Sequence, residues 1–238
     1  MAVPIDIANA VQARDKAQNR LVALITEGQS VWLDNLTREI VTGTELRSLI
    51  EDDGLRGMTS NPTIFQKAIA AGSEYDEQLK LLVRQGKNAS DSFEALAVTD
   101  IQTACDVFRP VYDALDGTDG FVSIEVSPGQ ARNTEGTIIE ARRLWNAVSR
   151  PNLMVKVPGT VEGAEAVGAL LREGININIT LLFSLENHER VMWEYIEALE
   201  ARVAAGQSIE RLASVASFFV SRVDTLVDNQ LDARIEAE

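Results

Sequence analysis

The segment Gly174-Ile-Asn-Ile-Asn-Ile-Thr180 constrains the fold most. Along a strand, successive side chains point to opposite faces, so Ile175, Ile177 and Ile179 share one face and Asn176, Asn178 and Thr180 the other. A central strand of an open, doubly wound sheet is covered by helices on both sides and reads as a nearly continuous apolar run. This one is half polar. Its isoleucines suit a face laid against helices, with the amides and the hydroxyl turned toward the axis of a barrel.

Other extended runs repeat the pattern. In Phe121-Val-Ser-Ile-Glu-Val126, Val122, Ile124 and Val126 oppose Ser123 and Glu125. In Leu153-Met-Val-Lys-Val157, Lys156 is the single charge and shares a face with Met154. Trp32 and Asp34 alternate with Val31 and Leu33, and Gly57, Thr59 and Asn61 share a face that ends at an Asn-Pro step. Five strands thus offer Asp34, Asn61, Glu125, Lys156, Asn178 and Thr180. All are expected toward the C-terminal halves of their strands, where barrel enzymes assemble their sites.

Between these runs the sequence reads as helix. Amphipathic periodicity marks residues 7–27, 46–50, 62–84, 90–115, 138–148, 162–173 and 186–204, and extended patterns mark 30–36, 55–61, 120–126, 152–157, 174–183 and 213–220. Six strands alternate with helices, without a Pro- or Ser-rich linker, a low-complexity tract or an internal repeat. Such a rhythm predicts a parallel sheet with crossover helices. The expectation is one α/β domain over residues 1–238, a (β/α)8 TIM-type barrel with about six of its eight strand-helix units.

Composition removes several function classes. The chain has 22 Lys and Arg against 36 Asp and Glu, a net charge of -14, which argues against a nucleic-acid backbone as partner. An anionic small substrate would need a few locally placed cations and helix N-termini. The single cysteine, Cys105, cannot form an internal disulfide, and the start lacks an apolar signal core, so a cytoplasmic protein is expected. No apolar run approaches the ~20 residues of a membrane span. The one histidine, His188, lies in a charged helical stretch and is expected to be solvated, which leaves little material for a histidine metal cage. Neither a Walker-type loop nor a G-x-G-x-x-G turn after a strand is present, which disfavours nucleotide binding. Trp32, Trp145 and Trp193 are expected to pack rather than to stack on bases.

A strand lysine among apolar neighbours is desolvated, which favours its neutral, nucleophilic form, and such an amine can attack a carbonyl. Each polar residue also has a plainer reading. Lys156 or Glu125 could sit on an exposed edge. Asp34 could start a turn or cap a helix, and Asn61 before Pro62 is a common helix start. Asn178 and Thr180 could satisfy neighbouring backbone, and Ser217 and Arg222 could be ordinary surface residues.

Six segments, in order, resemble motifs of the transaldolase family. They are Val31-Trp-Leu-Asp-Asn-Leu36, Gly57-Met-Thr-Ser-Asn-Pro-Thr-Ile-Phe65, Val122-Ser-Ile-Glu-Val126, Leu153-Met-Val-Lys-Val-Pro-Gly-Thr160, Ile177-Asn-Ile-Thr-Leu-Leu-Phe-Ser184 and Ser214-Val-Ala-Ser-Phe-Phe-Val-Ser-Arg222. They look closest to the longer bacterial branch, which includes forms fused to glucose-6-phosphate isomerase. The resemblance implies dihydroxyacetone transfer between sugar phosphates in the pentose phosphate pathway, without metal or organic cofactor. Lys156 matches the Schiff-base lysine, Asp34 the base that takes the C4 hydroxyl proton, and Glu125 with Thr180 the pair that moves protons through a water. Asn61 and Asn178 match positions that hold substrate hydroxyls and the imine region, and Ser217 and Arg222 match the phosphate binders. A fructose 6-phosphate aldolase, or an inert fragment that binds a sugar phosphate or another chain, are the alternatives. Family members continue through two further strand-helix units, so the chain is expected to be C-terminally truncated, with open edges that could pair with a second copy as a homo-oligomer.

Overall fold

Helix boundaries in this chain follow local chemistry closely. In a computed structural model that describes residues 19–236, the order is α1 (Arg20–Thr26), β1 (Trp32–Leu33), α2 (Arg38–Thr42), α3 (Glu45–Asp52), β2 (Gly57–Thr59), α4 (Pro62–Ala71), α5 (Asp76–Arg84), α6 (Ala89–Ala114) and β3 (Val122–Glu125). There follow α7 (Thr134–Val148), β4 (Leu153–Pro158), α8 (Val161–Arg172), β5 (Ile177–Leu182), α9 (Leu185–Ala204), β6 (Ser214–Phe218) and α10 (Val220–Ile235). Asn19, Thr37, Asn61, Asn88, Thr160 and Ser184 cap the helices after them with a side-chain oxygen that accepts a first-turn N–H. The part of the first expected helix before Asn19 lies outside the described residues.

One expectation about elements is corrected, and two helices are added to those expected. Residues 62–84 are not one helix: α4 ends at Gly72 and α5 starts beyond it. A separate short helix, α2, precedes α3, begun by the Thr37 cap and stopped at Gly43. The charged tail from Val220 onward is helical through Ile235, with Val220, Leu226, Leu231 and Ile235 all exposed.

The six strands form one sheet in the order β1-β2-β3-β4-β5-β6. The β1/β2, β2/β3 and β5/β6 pairs run parallel. Val122 donates its N–H to Asn152 O, and Val126 to Lys156 O, so the β3/β4 register also advances in step as parallel strands do. Sequential order with a helix after each strand is what six successive units of a (β/α)8 barrel require.

The chain divides into two compact units. The first takes in the described residues up to Glu125 together with Arg143–Val155; the second takes in Val126–Arg142 and everything from Lys156. In the first, α6 buries Leu96, Ile101, Ala104, Phe108 and Tyr112 at helical spacing, and Tyr112 meets Phe121 edge to face at 5.4 Å. Asn152 stitches this unit by donating from Nδ2 to Cys105 O and Gly120 O, at 2.9 and 3.0 Å. In the second, α8 buries Ala164, Val167, Leu170 and Leu171, and Ile177, Ile179 and Leu182 of β5 are buried too. Each large aliphatic side chain so buried contributes roughly 1.5–3 kcal/mol. No helix among the described residues is long and apolar enough to cross a membrane.

Candidate active site

In the first unit three candidate residues follow or end strands. Asp34 lies exposed just beyond β1. Asn61 lies two residues beyond β2, half-buried, and its Oδ1 accepts the Ile64 N–H at 3.0 Å to cap α4. The helix-start reading of Asn61 therefore holds, with its amide oxygen serving as the cap. Glu125 is the last residue of β3 and half-buried. Behind these, Ser60 donates from Oγ to Ser123 O at 2.8 Å in a fully buried bond. Thr59, on the face of Asn61, has a buried hydroxyl without a hydrogen-bond partner among the described residues. The close fit of this face is set by Gly57, where a Cβ would fall 2.3 Å from the Trp32 ring.

The second unit carries the other five. Lys156 is the fourth residue of β4 and only 7% exposed, which settles its place against the exposed-edge reading. Every residue of β4 is buried. Thr180, fourth in β5, is buried, and its carbonyl accepts the Gly159 N–H at 2.7 Å, joining the end of β4 to β5. Asn178 is also buried, but it is the second of the six residues of β5. The expectation that every candidate lies toward the C-terminal half of its strand therefore fails there. Ser217 on β6 donates from Oγ to Asn178 Oδ1 at 2.9 Å, so two expected ligand-holding side chains meet. Arg222, in the first turn of α10, is exposed, and its guanidinium carbon lies 4.5 Å from the centre of the Phe219 ring.

The backbone beside Thr180 is strained. Leu181 has φ 61°, and the β5/β6 register shifts between Ile179 and Leu182. A left-handed leucine costs about 1–2 kcal/mol and is held only where the surroundings over-determine it. Sequence alternation alone gave no sign of this bulge.

Two aromatic expectations change. His188 is half-buried and meets Phe218 edge to face at 6.2 Å, so it is not simply solvated. Trp193 is half exposed, unlike Trp32, whose ring fills the space over Gly57. Sequence reading also missed a polar cluster in the first unit. Arg38 pairs with the buried Asp100, which in turn accepts a hydrogen bond from Tyr75. The available signal was Asp100 itself, which falls on the apolar stripe of Leu96, Ala97, Ile101 and Ala104.

Residues 31–238 match the model of the family described as Transaldolase/Fructose-6-phosphate aldolase. A transaldolase of Trichodesmium erythraeum is 48% identical over 218 residues, 92% of this chain and 57% of that protein. Transaldolase 2 of Nostoc sp. is 47% identical over 92% of this chain and 58% of its own length. A transaldolase of Acidothermus cellulolyticus is 48% identical over 89% of this chain and 57% of its own. The chain thus spans little more than half the length of the curated relatives it matches. With six strands in barrel order, a buried strand lysine and a family match over most of its length, the chain belongs to the transaldolase/fructose-6-phosphate aldolase family.

Proposed function

We propose that the protein is a transaldolase, which transfers a dihydroxyacetone unit between sugar phosphates through an imine on Lys156. The observation that carries this reading is an almost fully buried lysine inside a strand, in a chain that matches this family from residue 31 onward. Sedoheptulose 7-phosphate and glyceraldehyde 3-phosphate would give erythrose 4-phosphate and fructose 6-phosphate, a step of the pentose phosphate pathway.

The Lys156 amine attacks the C2 carbonyl and forms a carbinolamine, and loss of water gives the imine. Glu125 and Thr180 move the protons of that dehydration through a water. Asp34 takes the C4 hydroxyl proton. The C3–C4 electron pair flows into the iminium, the aldose phosphate leaves, and an enamine remains on Lys156 until an acceptor aldose phosphate arrives. Asn61 and Asn178 hold hydroxyls, and the Ser217 contact with Asn178 supports a shared role for these two. Ser217 and Arg222 hold the phosphate, and Arg222 supplies the local cation that a chain of net charge -14 needs. The buried, unpaired Cys105 fits a reducing, cytoplasmic setting.

The family description also names fructose 6-phosphate aldolase, which favours one second reading: release of dihydroxyacetone instead of its transfer. A coupled assay with sedoheptulose 7-phosphate and glyceraldehyde 3-phosphate separates the two. Erythrose 4-phosphate and fructose 6-phosphate formed in equal amounts support transfer; free dihydroxyacetone that does not depend on the acceptor sinks it.

A further inference from the structure

We propose that the buried Arg38–Tyr75–Asp100 network is positioning machinery for Asp34, an inference that rests on the role given to Asp34 above. Arg38 donates from Nε to Asp100 Oδ1 at 2.7 Å and from a terminal nitrogen to Gln78 Oε1 at 2.7 Å. Its backbone N–H donates to Tyr75 Oη at 3.0 Å, and that hydroxyl donates to Asp100 Oδ2 at 2.9 Å. The guanidinium also lies over the Tyr75 ring, 4.3 Å from its centre. Main chain and side chain of Arg38 are therefore both fixed, and α2 is tied to α5 and α6 at its first residue.

Asp34 lies only four residues upstream. Between them, Leu36 is fully buried and Thr37 caps α2 by accepting the Ile40 N–H. The loop that carries the Asp34 carboxylate is anchored by β1 on one side and by this network on the other. Stability alone is a poor reason for such a network. Burying an ion pair costs several kcal/mol of desolvation per ion, and apolar side chains of similar volume serve a core about as well. A fixed backbone next to a general base is a better one, because a displacement of about 1 Å can cost on the order of 100-fold in rate.

The role predicts which chemical step suffers. Imine formation uses the Lys156 amine, whereas cleavage needs Asp34 to take the C4 proton as the C3–C4 pair moves into the iminium. A loosened Asp34 slows cleavage and leaves the earlier step alone. The test uses fructose 6-phosphate with borohydride, which reduces either the intact six-carbon iminium or the three-carbon iminium formed when the enamine is protonated at C3. Both adducts are weighed by peptide mass for the wild type and for Tyr75→Phe, which removes the acceptor of the Arg38 N–H. The ratio of six-carbon to three-carbon adduct should rise about tenfold or more in the variant, with total adduct within about twofold of wild type. Steady-state kcat should fall with KM little changed. If Tyr75→Phe does not fold by circular dichroism, Arg38→Lys, which keeps charge and backbone N–H but loses the guanidinium fork, should give the same rise. An unchanged ratio, or a parallel loss of both adducts, overturns the positioning role. Absence of any adduct on the wild type overturns instead the imine reading on which it rests.

Discussion

Tyr75 illustrates how burial at one residue becomes a property of the protein. Desolvation raises its phenol pKa from 10.0 to about 12, with the neighbouring Asp100 carboxylate adding to the rise and the Arg38 N–H opposing it. A raised folded-state pKa means that the folded form holds the proton more tightly than the unfolded chain. Its contribution to stability is therefore complete below pH 10 and is lost as pH rises toward 12. Unfolding by urea at several pH values should show wild-type stability falling relative to Tyr75→Phe across this window, with a constant difference between pH 7 and 9. A constant difference throughout would mean that the phenol is solvated. Its partner Asp100 is also pushed up by desolvation, against the pull of Arg38 and Tyr75. Neither shift was legible in the sequence, where Arg38 and Asp100 stand 62 positions apart and the one signal of burial is the place of Asp100 on an apolar helix stripe. Lys156 was legible, because one charge inside an otherwise apolar strand has few places to go.

At the scale of elements, the strand that carries Lys156 depends on the turn that follows it. Thr160 accepts the Gly163 N–H at 2.9 Å to cap α8 and donates its own hydroxyl to Ala131 O at 2.6 Å. The turn is so close that a Cβ at position 163 would fall 1.9 Å from Pro158 O. Thr160→Ala removes the cap and the second bond together and should destabilise the protein by about 1–2 kcal/mol in a denaturant titration. A change below roughly 0.3 kcal/mol would mean that water replaces both contacts at no cost. The helices from α6 to α9 were readable within a few residues because their apolar periodicity is long. Strands were over-extended in the sequence reading: residues 30–36 reduce to Trp32–Leu33 and residues 55–61 to Gly57–Thr59. Alternation of side chains reports an extended backbone, whereas a ladder also needs a partner strand in register. The break at Gly72 and the bulge at Leu181 are backbone events that neither hydrophobic period nor alternation encodes.

For the whole molecule, sequential strand order and the family match both follow from features spread along the entire chain, and this is why they could be read early. Alternating β and α patterns from Trp32 to Ala204 leave few topologies open once crossovers are right-handed. The candidate site was legible only in part. Lys156 stands out as one charge in an otherwise apolar strand, and Asn178 and Thr180 as the polar face of a strand whose other face is isoleucine. Ser217 and Arg222 carry no signal of their own in composition or period, and resemblance alone singled them out. The proposed transfer turns on the chemistry of Lys156, and the most direct measurement of it is borohydride trapping of the 238-residue chain with fructose 6-phosphate, read by peptide mass beside Lys156→Ala. The expected result is an adduct confined to the peptide that contains Lys156, with a three-carbon species present, and none on the variant. An adduct on another lysine, or none at all on a cooperatively folded wild-type chain, would contradict it.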